Sequence, residues 1–393
     1  MDAVEDIVIV GGGIAGLTTA LGLHRLGLRS LVLESSHSLR VTGFAFITWT
    51  NAWRALDAIG VGDYLRQHHN QLYGLRSAST VSGLQTSEIS FKAKGKNGEH
   101  DIRCLQRKVL LEALLKELPN GTIRYSSKIV SVEESGYLKL VHLADGSILK
   151  TKVLIGCDGV NSMVAKWLGL KKPAFTRRYA FRAYAYFKSG HGFEPKFLQF
   201  FGKGVRSGFI PCDDKTVYWF MAFTPSSQAI WESVPDQVKA VVESTEMDSI
   251  SLAQMRFRYP WELLWGNISK DNVCVAGDAL HPMTPDLGQG ACSALEDSVV
   301  LARCLAEALS KKPKNKAEEK EEEEFKRIKM GLEKYAKERR YRGIDLITSS
   351  YLVGFIQQSD GKMLNFIRDK ISALLAGVPL KRADFDCGKL SMS

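Results

Sequence analysis

The sequence predicts a mixed α/β fold in which a parallel, helix-covered sheet is interrupted by an inserted antiparallel sheet and followed by C-terminal helices. The apolar, β-branched run Ile7 to Val10 is typical of a parallel strand buried on both faces. Residues 175–265 are rich in aromatic residues and interrupted by turn residues, which is typical of an antiparallel sheet. Residues 271–309 then return to a strand, a Gly-rich turn and a long helix. The chain is therefore expected to leave its first domain, build a second and come back.

The individual elements follow from local patterns. Apolar residues keep a helical period from Leu17 to Leu26, Gly27 is a helix stop, and Leu31 to Leu33 form a second strand. Together with the first strand these segments make a βαβ unit. Asp145-Gly146 lies between two alternating or apolar runs and predicts a hairpin over residues 137–155.

Composition excludes several classes of protein. The 393 residues are 45% hydrophobic and 24% charged, and no apolar run reaches the ~18–20 residues of a membrane span. The seven cysteines are scattered without a C-x-x-C pair, and the eight histidines form no metal-binding spacing. We therefore expect no disulfide framework, no metal, and a reducing, cytoplasmic location. The net charge of +10 comes without a nucleic-acid motif, so it favours anionic small molecules over nucleic acid.

The first motif that carries chemistry is Gly11-Gly12-Gly13-Ile14-Ala15-Gly16. It follows a strand and opens a helix, and Glu34 ends the next strand 23 residues after Gly11. Glycines at these positions permit a tight turn, the close approach of a pyrophosphate, and close packing of the helix. The helix N-terminus attracts phosphate, and the acidic residue accepts hydrogen bonds from ribose hydroxyls. The motif predicts a dinucleotide site.

Two further turns follow buried strands. The first contains Asp158-Gly159 and the second contains Gly277-Asp278, followed by Pro285 and by Gly288-Gln289-Gly290. A strand-end aspartate can accept a hydrogen bond from a polyol hydroxyl. The glycines let backbone N–H groups approach a flat ligand at the start of the next helix.

The three motifs, in this order and spacing, resemble those of class A flavin-dependent monooxygenases of the para-hydroxybenzoate hydroxylase type. Within this class, the sequence resembles the plant salicylate hydroxylase-like and zeaxanthin epoxidase-related enzymes. The resemblance covers roughly residues 5–350. The resemblance implies a Rossmann-like FAD-binding domain of the glutathione-reductase type. It implies that FAD is bound by Gly11, Gly13, Ile14, Ala15, Gly16, Glu34, Ser35, Arg40, Arg107, Asp158, Gly159, Gly277, Asp278, Pro285, Gly288, Gln289, Gly290 and Ala291.

The resemblance also implies a reaction. NADPH or NADH reduces FAD, and a flavin C4a-hydroperoxide inserts one oxygen atom from O2 into a small aromatic or heteroaromatic substrate. The expected pocket residues are Tyr184, Tyr186, Phe200, Phe209, Phe220 and Pro285, with Arg182 as a partner for a substrate carboxylate. No catalytic residue is firmly assigned, and we expect a structural role for His281. Ala165 stands where the family commonly has Arg, which bears on the pyridine-nucleotide interaction.

Two other functions stay open from sequence, namely an isoprenoid epoxidase and a non-catalytic flavin-binding redox sensor. A monomer and a homodimer are both compatible with it. The expected division of the chain is an FAD-binding domain of residues 1–75, 100–175 and 266–310, a substrate domain of residues 76–99 and 176–265, a charged linker of residues 311–330, and a helical segment of residues 331–393.

Overall fold

The computed structural model describes residues 4–39, 45–225, 231, 234–310, 321–358 and 362–391. The strands are β1 Val4–Val10, β2 Leu31–Leu33, β3 Ala45–Thr48, β4 Gly74–Ser79, β5 Gln85–Ser90, β6 Lys94–Gly95, β7 Gly98–Glu99, β8 Arg103–Gln106, β9 Ile123–Arg124, β10 Ile129–Ser135, β11 Leu138–Leu143, β12 Ile148–Gly156, β13 Ala174–Tyr186, β14 Lys196–Phe201, β15 Val205–Pro211, β16 Thr216–Phe223, β17 Ser251–Phe257, β18 Ser269–Lys270 and β19 Val273–Val275. The α-helices are α1 Ile14–Arg25, α2 Thr50–Ala58, α3 Gly62–Gln67, α4 Arg107–Glu117, α5 Met163–Trp167, α6 Asp236–Glu243, α7 Pro260–Trp265, α8 Gly290–Ser310, α9 Glu321–Gln357 and α10 Lys362–Ala383.

The first sheet is built around β1. Strand β1 pairs in parallel with β2 on one side and with β12 on the other, and β12 also pairs in parallel with β19. The hairpin of β11 and β12 adds an antiparallel part that ends at β10. Ile7, Val8 and Ile9 are fully covered, as expected for a central parallel strand with helices on both faces. The predicted parallel core and the hairpin are both present.

The second sheet has the order β17-β13-β16-β15-β14-β4-β5, and its strands are antiparallel except for the pair β4 and β14. Side chains of a strand alternate between the two faces. One face packs under α6, where Val238 and Val241 meet Trp219 and Phe209. The other face lies opposite the loop Pro285–Gly288, which precedes α8. The mixed α/β fold with an inserted antiparallel sheet is confirmed.

Long helices complete the fold. Helix α8 packs on α1, and α9 packs on α8 and α7. Residues 321–330, expected to belong to a charged linker, form the first turns of α9, and residues 311–320 of that segment lie outside the described residues. Among the described residues, no helix is long and apolar enough to cross a membrane.

Candidate active site

The Gly-rich turn after β1 opens onto a groove at the N-terminus of α1. Gly11 has φ +102°, and a Cβ there would lie 2.5 Å from the carbonyl oxygen of Cys157. A Cβ on Gly16 would lie 1.9 Å from the carbonyl oxygen of Gly11, so the fold itself requires both glycines. A Cβ on Gly13 would meet nothing within 4 Å. No side chain caps α1 at Gly13 and no acidic residue lies in its first turn, so this helix end suits an anion.

Glu34 lines this groove. One carboxylate oxygen accepts from the backbone N–H of Gly12 at 2.8 Å, and the other accepts from that of Ser36 at 2.8 Å. The groove measures about 520 Å³, and its lining includes Gly11, Gly12, Gly13, Glu34, Ser35, Arg107, Ser127, Lys128, Asp158 and Gly159. Arg107 enters from the first residue of α4 and adds positive charge. The groove therefore offers a helix N-terminus, a carboxylate and a positive charge, which suit phosphate and sugar groups.

The Asp-Gly turn after β12 is bonded within itself. The Asp158 carboxylate accepts from the N–H of Met163 at 2.7 Å and from the hydroxyl of Ser162. The Ser162 oxygen in turn accepts from the N–H of Ala165 at 2.8 Å, which caps α5. Burial raises the pKa of Asp158 although these hydrogen bonds oppose the shift. Ala165, at the position where the family commonly has Arg, is buried, and the neighbouring Lys166 is exposed.

The turn after β19 contacts the turn that follows Asp158, and Asp278 is exposed in it. Gly277 has φ +61°, and a Cβ there would lie 2.8 Å from the Cβ of Ala15 at the start of α1. The surrounding protein raises the pKa of Asp278, and the charges of His281, Arg107 and Arg182 oppose this shift. Arg107 lines the groove and Arg182 lines a second cavity, and the charges of both act on Asp278.

The second cavity lies between the antiparallel sheet and the loop Pro285–Gly288. It measures about 120 Å³, and its walls are mainly apolar: Ala45, Phe46, Ile47, Trp49, Leu75, Phe197, Ile210, Tyr218, Phe220, Met255, Leu287 and Val353. Gly288 has φ +65°, and a Cβ there would lie 2.3 Å from the side chain of Ile47. The indole N–H of Trp49 donates to the carbonyl of Leu287 at 3.1 Å. These contacts hold the loop against the cavity.

Charged groups occupy one side of this cavity. Arg206 and Arg178 each lie 2.9 Å from the carboxylate of the fully buried Asp286. Burial alone would raise the pKa of Asp286, but the two guanidinium charges outweigh it and lower the pKa. Arg182 also lines the cavity, so Arg182 and Arg206 together outnumber the single carboxylate of Asp286 among its lining residues. The electrostatic environment of this cavity favours a negatively charged or electron-rich guest.

A buried ionic network lies behind the Gly277 turn. The Asp297 carboxylate accepts from Nε2 of His281 at 2.6 Å, Nε of Arg339 at 2.6 Å and the N–H of Gly277 at 2.8 Å. Next to it, Glu296 pairs with Arg339 and Arg342, each at 2.7 Å. Burial alone would raise the pKa of Asp297, but the charges of His281 and Arg339 outweigh it and lower the pKa. The network joins the turn to α8 and α9.

Comparisons with known proteins agree with this geometry. The sequence profile of the FAD binding domain family matches residues 5–335. The chain is 56% identical over 401 residues to Monooxygenase 2 of Arabidopsis thaliana, with 98% of each chain covered. It is 38% identical over 402 residues to Monooxygenase 1 of the same plant, with 98% of this chain and 99% of the relative covered. This chain belongs to the FAD-dependent monooxygenases.

The fold of this monooxygenase is also that of solved flavoproteins. HpxO of Klebsiella pneumoniae, solved in complex with FAD and uric acid, superposes with a TM-score of 0.77 at 19% identity, with 98% of each chain covered. At this identity the likeness concerns the fold alone. The resemblance to flavin monooxygenases that the three motifs indicated is confirmed.

The groove of the monooxygenase fits the adenosine diphosphate half of FAD. It combines an uncapped helix N-terminus, open space at Gly13 and a carboxylate at the end of β2. Ile14, Ala15 and Gly16 form the first turn of α1, and Gly290 and Ala291 begin α8. Gln289 is buried, and its side-chain oxygen accepts from the amide of Asn51 at 2.9 Å. Arg40 lies outside the described residues.

The cavity lining of the monooxygenase differs from the sequence expectation at four positions. Phe220, Pro285 and Arg182 line the cavity. Phe200 and Phe209 pack on the opposite face of the sheet, among the residues under α6. Tyr186 is 59% exposed, and Tyr184 lies on the cavity side of β13 but contacts Tyr218 without lining the cavity. Both faces of this sheet are covered and carry aromatic residues. Aromatic composition therefore does not show which residues face the cavity.

Sequence reasoning missed the acidic partners in this site. Glu296 and Asp297 lie on α8, where 15 of 21 residues are buried, and two adjacent acids in so covered a helix are an unusual signal. Their partner Arg339 lies 42 residues after Asp297, and Asp286 lies 80 residues after Arg206. His281 is fully buried in the ionic network and does not line the cavity.

Proposed function

We propose that this monooxygenase uses NADH or NADPH to insert one oxygen atom from O2 into a small aromatic or heteroaromatic ring that carries an acidic group. The observation that carries the proposal is the cavity beside Gly288, which is apolar on most sides and arginine-rich on one. Its volume of about 120 Å³ is close to the ~150 Å³ of an engineered cavity that binds benzene. The size favours a single ring.

FAD, when bound, supplies the redox chemistry that activates oxygen after reduction by the pyridine nucleotide. The N-terminus of α1, together with Arg107, would hold the pyrophosphate, and Glu34 would bind the ribose. Asp278 would bind the ribityl hydroxyls, because it is exposed in a turn that contacts the Asp158-Gly159 turn beside the groove. The backbone N–H groups of Gly288 to Gly290 would approach the flavin ring of FAD.

The remaining residues would orient the substrate and exclude water. Trp49, Phe197 and Phe220 give the cavity apolar aromatic walls, which keep water from the reacting atoms. Arg182 faces the same space and would pair with a carboxylate or phenolate on the ring. Asp286 holds Arg206 and Arg178 in place, so these two arginines would bias the electrostatic potential without leaving their partner.

The test uses purified protein loaded with FAD. NADH and NADPH oxidation under air is followed with phenolic acids, N-heterocyclic acids, their uncharged analogues and isoprenoids. We expect acidic single-ring compounds to accelerate oxidation most and to yield a hydroxylated product by mass spectrometry. Acceleration by isoprenoids alone would instead favour the epoxidase, and a flavin spectrum without turnover of either nucleotide would favour a sensor.

Arg182 provides a sharper test of the substrate class. Arg182→Ala is expected to raise the Kd of the acidic compound about tenfold or more, because a charge-assisted hydrogen bond contributes ~1.5–3 kcal/mol. The Kd of the uncharged analogue should stay unchanged. Arg256→Ala is the matched control, since Arg256 lies on the neighbouring strand β17 and does not line the cavity. Equal affinity of wild type and Arg182→Ala for the acidic compound would remove this role.

A further inference from the structure

Helix α7 has one face packed on the protein and one face in solvent. Leu263 is fully buried and would touch a side chain placed at Gly343 of α9. Trp261, Leu264 and Trp265 follow the spacing i, i+3, i+4 that places residues on one side of a helix, and they are 48%, 43% and 78% exposed. Large apolar side chains therefore lie on the outer surface of α7 as well as on its core side.

The protein holds this apolar surface in place. The guanidinium of Arg340 donates to the carbonyls of Gly266 at 3.0 Å and Leu264 at 3.3 Å, so it caps the C-terminal end of α7. Tyr259 stacks on Trp261 with ring centroids 4.4 Å apart and planes at 13°. The two tryptophans are thus presented from an anchored helix.

Lysines lie beside the same surface. Lys166, Lys171 and Lys172 line one shallow depression, and Arg258 fixes it by donating to the carbonyl of Lys171 at 2.7 Å. Lys171 is 82% exposed and lies 3.5 Å from Glu262 of α7, which ties the depression to the helix. The Lys171–Glu262 pair is neutral overall, so the positive charge at this surface comes from the exposed Lys166 and Lys172.

We propose that these residues, the α7 patch of Tyr259, Trp261, Leu264, Trp265, Lys166, Lys171 and Lys172, dock the protein onto the headgroup region of an anionic lipid bilayer. Tryptophan and tyrosine have an apolar ring and a polar edge, and both are enriched at the boundary between headgroups and acyl chains. Each lysine near an anionic membrane surface raises the coefficient for partitioning onto the membrane roughly fivefold. Apolar insertion and charge attraction together are what a surface-bound protein requires.

The experiment measures binding of the FAD-loaded protein to vesicles of phosphatidylcholine with and without phosphatidylglycerol. Wild type is expected to sediment with the anionic vesicles, with a blue shift of tryptophan emission and with loss of binding at high salt. Lys166→Gln with Lys172→Gln should weaken binding about 25-fold. Trp261→Ser with Trp265→Ser should abolish the blue shift while leaving circular dichroism and FAD content unchanged.

Matched controls lie on other surfaces of the chain. Lys108→Gln with Lys116→Gln changes two exposed lysines on α4, and Met247→Ser changes an 81% exposed apolar residue. Both controls should bind as wild type does. Binding of wild type no stronger to anionic than to neutral vesicles would overturn the proposal. So would a concentration-dependent dimer that the tryptophan substitutions dissociate, because a second copy of the chain would then cover the patch.

Discussion

Asp297→Asn tests whether the ionic network behind the Gly277 turn stabilises the fold. The substitution keeps the shape of the side chain but removes a fully buried charge that accepts from Gly277, His281 and Arg339 at 2.6 to 2.8 Å. Arg339 would then share Glu296 with Arg342, leaving one buried guanidinium without a full counter-charge. Removing one partner from a buried ion pair costs ~3–5 kcal/mol, so we expect a loss of that size in the free energy of unfolding.

The assay is urea denaturation of the protein with and without FAD, monitored by circular dichroism. The midpoint should fall in Asp297→Asn while the slope stays the same, since the substitution alters stability and not the surface exposed. Asp345→Asn is the control, because Asp345 also pairs with an arginine, Arg382 at 2.7 Å, but is 40% exposed. A pair of that exposure contributes below ~1 kcal/mol. Equal midpoints for the two variants would refute the argument.

Three other predictions concern the groove and pH. Gly13→Ala should leave the unfolding midpoint of the FAD-free protein unchanged and yet lower FAD content, whereas Gly16→Ala should reduce soluble, folded protein, because only the second Cβ meets backbone, at 1.9 Å. Asp278→Ala should also lower FAD content, measured by absorbance, without destabilising the FAD-free protein; full occupancy would contradict our assignment. The pKa of Asp297 and of Asp286 is lowered in the folded state, so their stabilisation is present above the unfolded pKa of ~3.9 and is lost as pH falls through the folded pKa. The gap in midpoint between wild type and Asp297→Asn should therefore be constant near neutral pH and shrink in acid.

The parts of the fold that depend on neighbouring residues could be predicted from the sequence. Gly11, Gly16 and Glu34 belong to one βαβ unit, and their roles follow from the turn that joins strand to helix. The hairpin at Asp145-Gly146 is equally local. The expected domain boundaries stay a prediction, although strands β4 and β5 do belong to the same sheet as the strands from β13 to β17.

Features that depend on distant pairing could not be predicted in this way. Period-two alternation separates the faces of β15, but it does not tell that Phe209 faces α6 while Ile210 faces the cavity, because both faces are apolar. In the sequence, Arg339 is one of many charged residues along a Lys- and Glu-rich segment. Its burial depends on α9 packing against α8, which no local pattern in the sequence encodes.

The route of the chain through the first sheet also sets an order of assembly during synthesis. Strand β12 has its parallel partner β1 early, but β19, which covers its other edge at Leu154 to Gly156, leaves the ribosome only after the whole second sheet. At ~10 residues per second this interval is on the order of 10 s. A nascent chain can thus form the groove beside Glu34 while the turn that carries Asp278 does not yet exist. The apolar edge of β12 stays open for that time, which makes it a place where chaperones would engage the growing chain.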